Sequence, residues 1–343
     1  MKLFLLFLLI LLPMVAVWGQ NCKVLLETPE KSCHASTLAE LEPGRFLLAY
    51  FAGDYERHPN VSIYTQEAQM KQGRWKVKKA RKVADGLTDG KQYPCWNPVL
   101  TKHEDGRLIL FYKVGPSPQE WWGMMKISPD NGKSWSEAQQ LPDGILGPVR
   151  CKPIWTKRGL LCGSSEERLD AKGNPVWTIH MEIADSSLTH WRRYEVDCDT
   201  FNAIQPAIVD YGDSIAIYCR TLNNCIATAS SKDGGITWCR LKPFRMALSE
   251  GGSPQVMPNN NSGIDAILLR ERPMFAMNPV TGTDYSRNRN RLSLIGKGTS
   301  LLVENQEKGE FSYPALIMGS DGACYLSYTY NRQKIALIRI ESD

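Results

Sequence analysis

Short apolar runs bounded by turn residues recur along most of the chain. The runs at 45–51, 61–64, 108–112, 160–162, 204–209, 214–218, 266–269 and 323–328 carry the aliphatic, aromatic and β-branched residues of strands. Turn pairs punctuate them, among them Pro43-Gly44, Asp105-Gly106, Gly212-Asp213 and Asp321-Gly322. No stretch sustains a helical stripe, and no low-complexity linker divides the chain. The pattern predicts an all-β chain. Two turns share the octapeptide S-x-D-x-G-x-[ST]-W: Ser128, Asp130, Gly132, Ser134 and Trp135 in one, Ser231, Asp233, Gly235, Thr237 and Trp238 in the other. Asp accepts backbone N–H groups in a tight turn, Gly supplies positive φ, and the Trp packs back onto the sheet. Trp75, Trp135, Trp191 and Trp238 each end a turn-like segment, and 291–300 holds a decayed fifth candidate. The 184–191 copy lacks the glycine. The pitch is about 50 to 60 residues, the scale of a propeller blade. It predicts about six blades, whereas a β-sandwich calls for no repeated box.

Composition and charge narrow the setting. The chain opens Met1-Lys2-Leu3-Phe4, continues apolar to Leu12, and reaches Pro13 and small residues, with Val17 and Gly19 suiting cleavage before Gln20. This reads as a secretory leader over 1–19, followed by one domain over 20–343. Asn21 before Cys22 does not suit lipid attachment there. The expectation is a secreted or periplasmic monomer with no membrane insertion after leader removal. Ten cysteines predict at least three disulfides in that compartment. Cys22 with Cys33, Cys151 with Cys162, and Cys219 with Cys225 or Cys239 are the candidate pairs. No CxxC pair is present, so no metal or other cofactor is expected. Asn60-Val61-Ser62 and Asn260-Asn261-Ser262 are glycosylation sequons usable in a eukaryotic host. A net charge of +5 permits acidic ligands. The basic run from Lys71 to Lys82 alternates around Trp75 and Val77, which predicts a solvated strand rather than a nucleic-acid site.

Longer blocks sharpen the picture. They include Cys33-His34-Ala35-Ser36-Thr37, Pro94-Cys95-Trp96-Asn97-Pro98, Gly147-Pro148-Val149-Arg150-Cys151-Lys152-Pro153, Asn261-Ser262-Gly263-Ile264-Asp265 and Phe311-Ser312-Tyr313-Pro314. With the two boxes, they make nearly the whole mature chain resemble the sialidase-like group of Asp-box β-propellers. The resemblance implies a six-bladed β-propeller with the boxes on its perimeter and a sugar pocket on its axis. In that family three arginines hold the sugar carboxylate, a Tyr assisted by a Glu is the nucleophile, and an Asp is the acid/base. A planar guanidinium fork suits a carboxylate, and a neutral Tyr is not repelled by it.

Carried over residue by residue, the resemblance places Tyr313 as nucleophile and Arg220 as one clamp arginine. Arg291 fits another clamp position, with Arg289 as its rival. His34 stands where the first arginine is expected, Asn60 at the acid/base position and Gln205 at that of the assisting Glu. Neither amide trades protons near neutral pH. Substitutes are sought among Asp54, Glu56, Glu166 and Glu182, and Glu56 is taken forward as the catalytic carboxylate. Arg332 either caps the closing strand or enters the pocket, and Lys152 joins the substrate-binding set. The resulting expectation is an exo-glycosidase on a terminal sialic-acid-like or other acidic sugar. Two other classes stay open. A polysaccharide lyase on uronate polymers would use His34, His180 or Lys152 as base. A glycan-binding propeller would keep the cationic pocket and lack a placed acid.

Overall fold

The computed structural model describes residues 20–249, 251–282 and 289–341. The leader read in 1–19 and Arg287 and Asn288 of the arginine-rich run lie outside the described residues. Six antiparallel sheets follow one another along the chain. Their first strands are Ser32–Glu42, Cys95–Lys102, Ile154–Thr156, Ala203–Asp210, Asp265–Leu269 and Phe311–Met318, and these head blades 1 to 6 in that order. The last blade takes its fourth strand from the other end of the chain: Gln20–Glu27 pairs with Lys334–Ile340. This makes an all-β, six-bladed β-propeller, closed by a strand from outside the last blade's own stretch of sequence. Among the described residues no helix is long and apolar enough to cross a membrane.

The apolar runs explain the ring. Second strands such as Leu108–Val114 are buried at every position because a neighbouring blade covers each face. The core is correspondingly divided into clusters between adjacent blades. Leu47, Ala49 and Phe51 of blade 1 meet Leu100, Leu110 and Tyr112 of blade 2. Phe46, Leu48 and Tyr50 meet Tyr325, Ile335 and Leu337 of blade 6. The basic run forms the exposed outer strand Arg74–Val77 of blade 1, with Trp75 and Val77 half-buried.

The two boxes lie in turns between third and fourth strands. Asp233 accepts the N–H of Ile236 and Thr237 and the hydroxyls of Ser231 and Thr237. Asp130 is bonded likewise by Ser134 and Ser128. The segment without the glycine makes the same turn. Asp185 accepts the N–H of Thr189 and His190, Trp191 Nε1 donates to the Leu188 carbonyl as Trp238 Nε1 does to Gly235, and Leu188 takes φ 60°. Trp75 differs: its Nε1 donates to the Cys22 carbonyl of the closing strand at 3.2 Å.

The disulfide expectation is not met in this structure. All ten cysteines are free, and Cys33, Cys95, Cys151, Cys162, Cys219, Cys225 and Cys324 are buried. All of these except Cys225 pack as small hydrophobes in separate interblade clusters. Cys33, for example, lies between blades 1 and 6, and Cys151 between blades 4 and 5.

Candidate active site

First strands of four blades carry a bulge near their N-terminal ends. The register shifts fall between His34 and Thr37, at Trp96–Val99, between Ile204 and Ala207, and between Ser312 and Ala315. At each bulge one residue takes positive φ: Ala35 at 54°, Asn97 at 39°, Gln205 at 56° and Tyr313 at 52°. A non-glycine residue there costs about 1–3 kcal/mol, and bulges re-aim side chains beside active sites. In three of the four the strained residue precedes a proline, namely Pro98, Pro206 and Pro314. The boxes sit at the other end of the blades, since Ser128 pairs with Leu108 whereas Cys95 pairs with Val114.

Tyr313 is the centre of this end. Its hydroxyl accepts from Arg220 Nη2 at 3.2 Å. Guanidinium carbons of Arg150, Arg220 and Arg289 lie 5.2, 5.3 and 5.7 Å from its ring centroid. The His34 ring packs against it at 4.1 Å, tilted by 50°. Three arginines therefore surround the tyrosine, and all three are buried. Arg220 Nη1 donates to the Asn261 carbonyl at 2.9 Å, and Arg150 donates to the carbonyls of Ile264 and Pro314. Arg220 thus ties blade 4 to the loop before blade 5, whereas Arg150 reaches across from the loop before blade 3 to blades 5 and 6. A Cβ on Gly263 would stand 3.2 Å from Arg150 Nε and 3.3 Å from Tyr313, so glycine keeps this approach open.

A second network rims the first. Arg289 Nη1 donates to Glu310 at 2.9 Å, Arg332 Nε donates to the other Glu310 oxygen at 2.7 Å, and Arg332 Nη1 donates to Glu56 at 2.5 Å. Burial works to raise the Glu310 pKa, but Arg332 and Arg289 hold it below the ordinary value. Burial also works against the Arg332 charge, and Glu56 and Glu310 outweigh it, raising its pKa. His34 is the reverse case. Burial, followed by the fields of Arg332, Arg289, Arg150 and Arg220, pushes it well below the usual histidine range. It is a neutral imidazole, and neither ring nitrogen has a hydrogen-bond partner.

The remaining expected residues fall in different places. Gln205 is buried, its N–H donates to Ser165 Oγ at 3.2 Å, and its Oε1 is unpartnered. Asn60 is exposed and braces its own loop, accepting from Asp54 N–H at 3.1 Å and bonding His58 Nδ1 at 2.6 Å. Arg291 is exposed at the head of strand Arg291–Gly296, and the arginine beside Tyr313 is Arg289. Lys152 reaches Thr37 Oγ1 at 3.5 Å and lines a cavity with Leu38, Lys102 and Met318 at the far end of the axis. Asp54 pairs with Lys31 at 2.8 Å, and Glu166 with Arg193 and Arg168. Glu182 is fully buried, bonded to His180 at 2.8 Å and to the N–H of Leu146 and Gly147. With Lys113, which donates to the Pro148 carbonyl at 2.9 Å, it fixes the loop leading to Arg150. Burial lowers the Lys113 pKa to about 7, against the pull of Glu182.

Sequence reasoning missed Arg150, Glu310 and Glu167. The repeated X-Pro at strand starts was the available signal for the strained ring of residues. Glu167 is half-buried and stands within the electrostatic reach of Arg220, Arg57 and Glu56; burial raises its pKa.

Comparison with known proteins bears on this arrangement. The BNR repeat-like domain family matches residues 44–326. A search of curated proteins returns no match. Among solved structures, a protein of unknown function from Dyadobacter fermentans is similar with a TM-score of 0.71 and 16% identity, covering 95% of this chain and 99% of that one. The NanB sialidase from Streptococcus pneumoniae, bound to a substituted ethanesulfonate, gives 0.65 at 11% identity, with 94% and 70% covered. Trypanosoma rangeli sialidase gives 0.64 at 14% identity, with 93% of this chain and 58% of that chain covered. At these identities the likeness is one of fold.

Proposed function

The chain belongs to the family of BNR repeat-like domains, as a sialidase-like β-propeller, and on that footing we propose that it is an exo-glycosidase acting on a terminal acidic sugar. The observation that carries the reading is the Tyr313 hydroxyl bonded to Arg220 within a ring of three buried guanidiniums. Arg150 is occupied by two backbone carbonyls. Arg220 and Arg289 each keep donors in reach of a ligand carboxylate, which a planar fork binds in two-point fashion. Tyr313 then stands beside the held sugar as a neutral nucleophile, outside the two-carboxylate scheme of most glycosidases. Neutral His34 supplies a single hydrogen bond to a hydroxyl rather than a charge to a carboxylate. The names of the streptococcal and trypanosomal neighbours support sialic-acid-like sugars as the first to try. The leader read in 1–19 supports export, and the protein would act as a secreted or periplasmic monomer on acidic glycans.

Gln205 favours a second reading, a glycan-binding propeller without turnover, because an amide occupies the assisting position. A lyase is less well served: His34 is a weakened base, His180 is spent on Glu182, and Lys152 lies at the far end. The test is hydrolysis of 4-methylumbelliferyl N-acetylneuraminate, alongside a panel of aryl uronides. Wild-type protein should release the fluorophore, and Tyr313→Phe should bind the sugar and release none. Binding by wild type without release from any member would establish the lectin reading instead.

A further inference from the structure

Hydrolysis at Tyr313 needs a group that moves protons, and the four carboxylates nominated from sequence are all committed elsewhere. Asp54 is paired with Lys31, Glu56 with Arg332, Glu166 with Arg193 and Arg168, and Glu182 with His180 and two backbone N–H groups. Glu310 is divided between Arg289 and Arg332.

Glu167 is different. It lies on strand Gly159–Leu169 of blade 3. Alternation puts it on the face of that strand that carries Gly163 and Ser165. That face abuts blade 4: a Cβ on Gly163 would stand 2.7 Å from the Pro206 carbonyl, and Ser165 Oγ receives the Gln205 N–H. Glu167 therefore stands above Gln205, on the site side of the blade. The charged groups within its electrostatic reach are Arg220 from blade 4 and Arg57 and Glu56 from the blade 1 loop. It also borders a cleft lined by Trp121 and Trp122. Among the described residues its side chain has no hydrogen bond or ion pair, although that of its neighbour Glu166 has two ion pairs.

We propose that Glu167 is the proton-transfer residue of the axial site, doing from blade 3 what the amides at Asn60 and Gln205 do not. The proposal rests on the glycosidase reading. In the first step the Tyr313 phenolic oxygen bonds to the anomeric carbon. The bond from that carbon to the leaving oxygen breaks, the electron pair stays on the leaving oxygen, and the Glu167 carboxyl proton goes there. The phenolic proton passes to solvent water. In the second step water adds to the anomeric carbon and gives a proton to the Glu167 carboxylate. The aryl ether pair returns to Tyr313, which is reprotonated from solvent. One water is consumed, and free sugar and alcohol are formed. The burial that raises the Glu167 pKa keeps the acid form available to higher pH, as this role requires.

The experiment compares two probes, 3′-sialyllactose, whose sugar leaving group needs a proton, and 4-methylumbelliferyl N-acetylneuraminate, whose aryl leaving group does not. Glu167→Gln should lose about 10²–10⁴-fold in kcat/KM, which reports the first step, on sialyllactose and less than about 10-fold on the aryl glycoside. The falling high-pH limb of the wild-type profile should vanish in the variant. Glu167→Asp, tested in parallel and decisive if the Gln variant does not fold, should keep that limb at a reduced rate. Wild-type rates on sialyllactose in either variant overturn the assignment of Glu167 and leave the glycosidase reading standing. Equal losses in kcat/KM on both probes also overturn it, since a structural defect has no leaving-group preference. No turnover of either probe or of any aryl uronide in the panel by wild-type protein overturns the glycosidase reading, and this inference with it.

Discussion

At the scale of single residues, the candidate site is a set of buried cations, Arg150 and Arg220 held by backbone carbonyls and Arg289 by Glu310, around one tyrosine. Arg220 shows how the pieces depend on each other. One of its amino groups holds the Asn261 carbonyl, and the other meets the Tyr313 hydroxyl. Because the guanidinium is buried, a ligand carboxylate meeting it would be largely desolvated, and such pairs are costly to break. Arg220→Ala should weaken binding of an acidic-sugar probe by about 2–5 kcal/mol. Arg291→Ala, at an exposed position, should change it by no more than about 0–1 kcal/mol. Titration calorimetry with both variants checks this, and equal losses would move the clamp away from Arg220. The meeting of Tyr313 and Arg220 was legible in the sequence because each sits in a local block with its own strand signal. The choice between Arg289 and Arg291 was not, because it turns on where the run leaves the strand: Arg291 already pairs with Asn305, whereas Arg289 precedes the ladder. Glu166 and Glu167 posed a similar problem. Strand alternation places them on opposite faces, but a sequence does not say which face meets which neighbouring blade.

At the scale of elements, the boxes and the bulges divide the blade between them. The box end is built from short polar side chains that replace missing backbone partners in a tight turn. Its lesson concerns the segment at 184–191, read as degenerate for want of glycine. Asp185 still gathers the turn, because the segment has one more residue between Asp and Trp and asks for positive φ at one position, which Leu188 accepts. The aspartate, more than the glycine, is what the element needs. Asp130 permits a test. Hydrogen bonds from the Ser134 side chain and N–H hold its carboxyl down at about 2. An unfolded aspartate titrates near about 3.9. A depressed native pKa means stability contributed above the unfolded value and lost as pH falls through the folded one. The melting-temperature gap between wild type and Asp130→Asn should therefore be widest above about pH 4 and close as pH falls toward about 2. A gap of constant size from pH 6 to 2, followed by circular dichroism, would assign the turn to shape rather than to charge.

At the scale of the whole molecule, the site exists only because the ring closes. Repeat pitch and strand pattern made the ring legible, whereas the contacts across it depend on which blades become neighbours, which local sequence does not encode. The cysteines mark the same limit: an even count suggested pairs, but the fold distributes most of the buried ones among separate interblade cores. Thiol titration of the denatured, unreduced protein should count all ten, with Cys239 reacting first in the native state because it is exposed. A count near four would restore the disulfides. Closure itself rests on Gln20–Glu27. This strand completes blade 6, buries Leu26, receives Trp75 Nε1 and the Gln66 amide from blade 1, and sends Lys23 to Glu304 of blade 5. Leu26→Ala should cost about 2–5 kcal/mol by chemical denaturation. Glu27→Ala, which removes an exposed pair with Lys334, should cost no more than about 0–1 kcal/mol. The same comparison reaches the site. Arg332 of blade 6 bonds Glu56 of blade 1, so loosening the seam between those blades separates them. As denaturant rises, Leu26→Ala should lose acidic-sugar binding before the global transition, and Glu27→Ala should lose it with that transition. Loss of binding together with global unfolding in both variants would mean that the seam and the axial site melt as one unit.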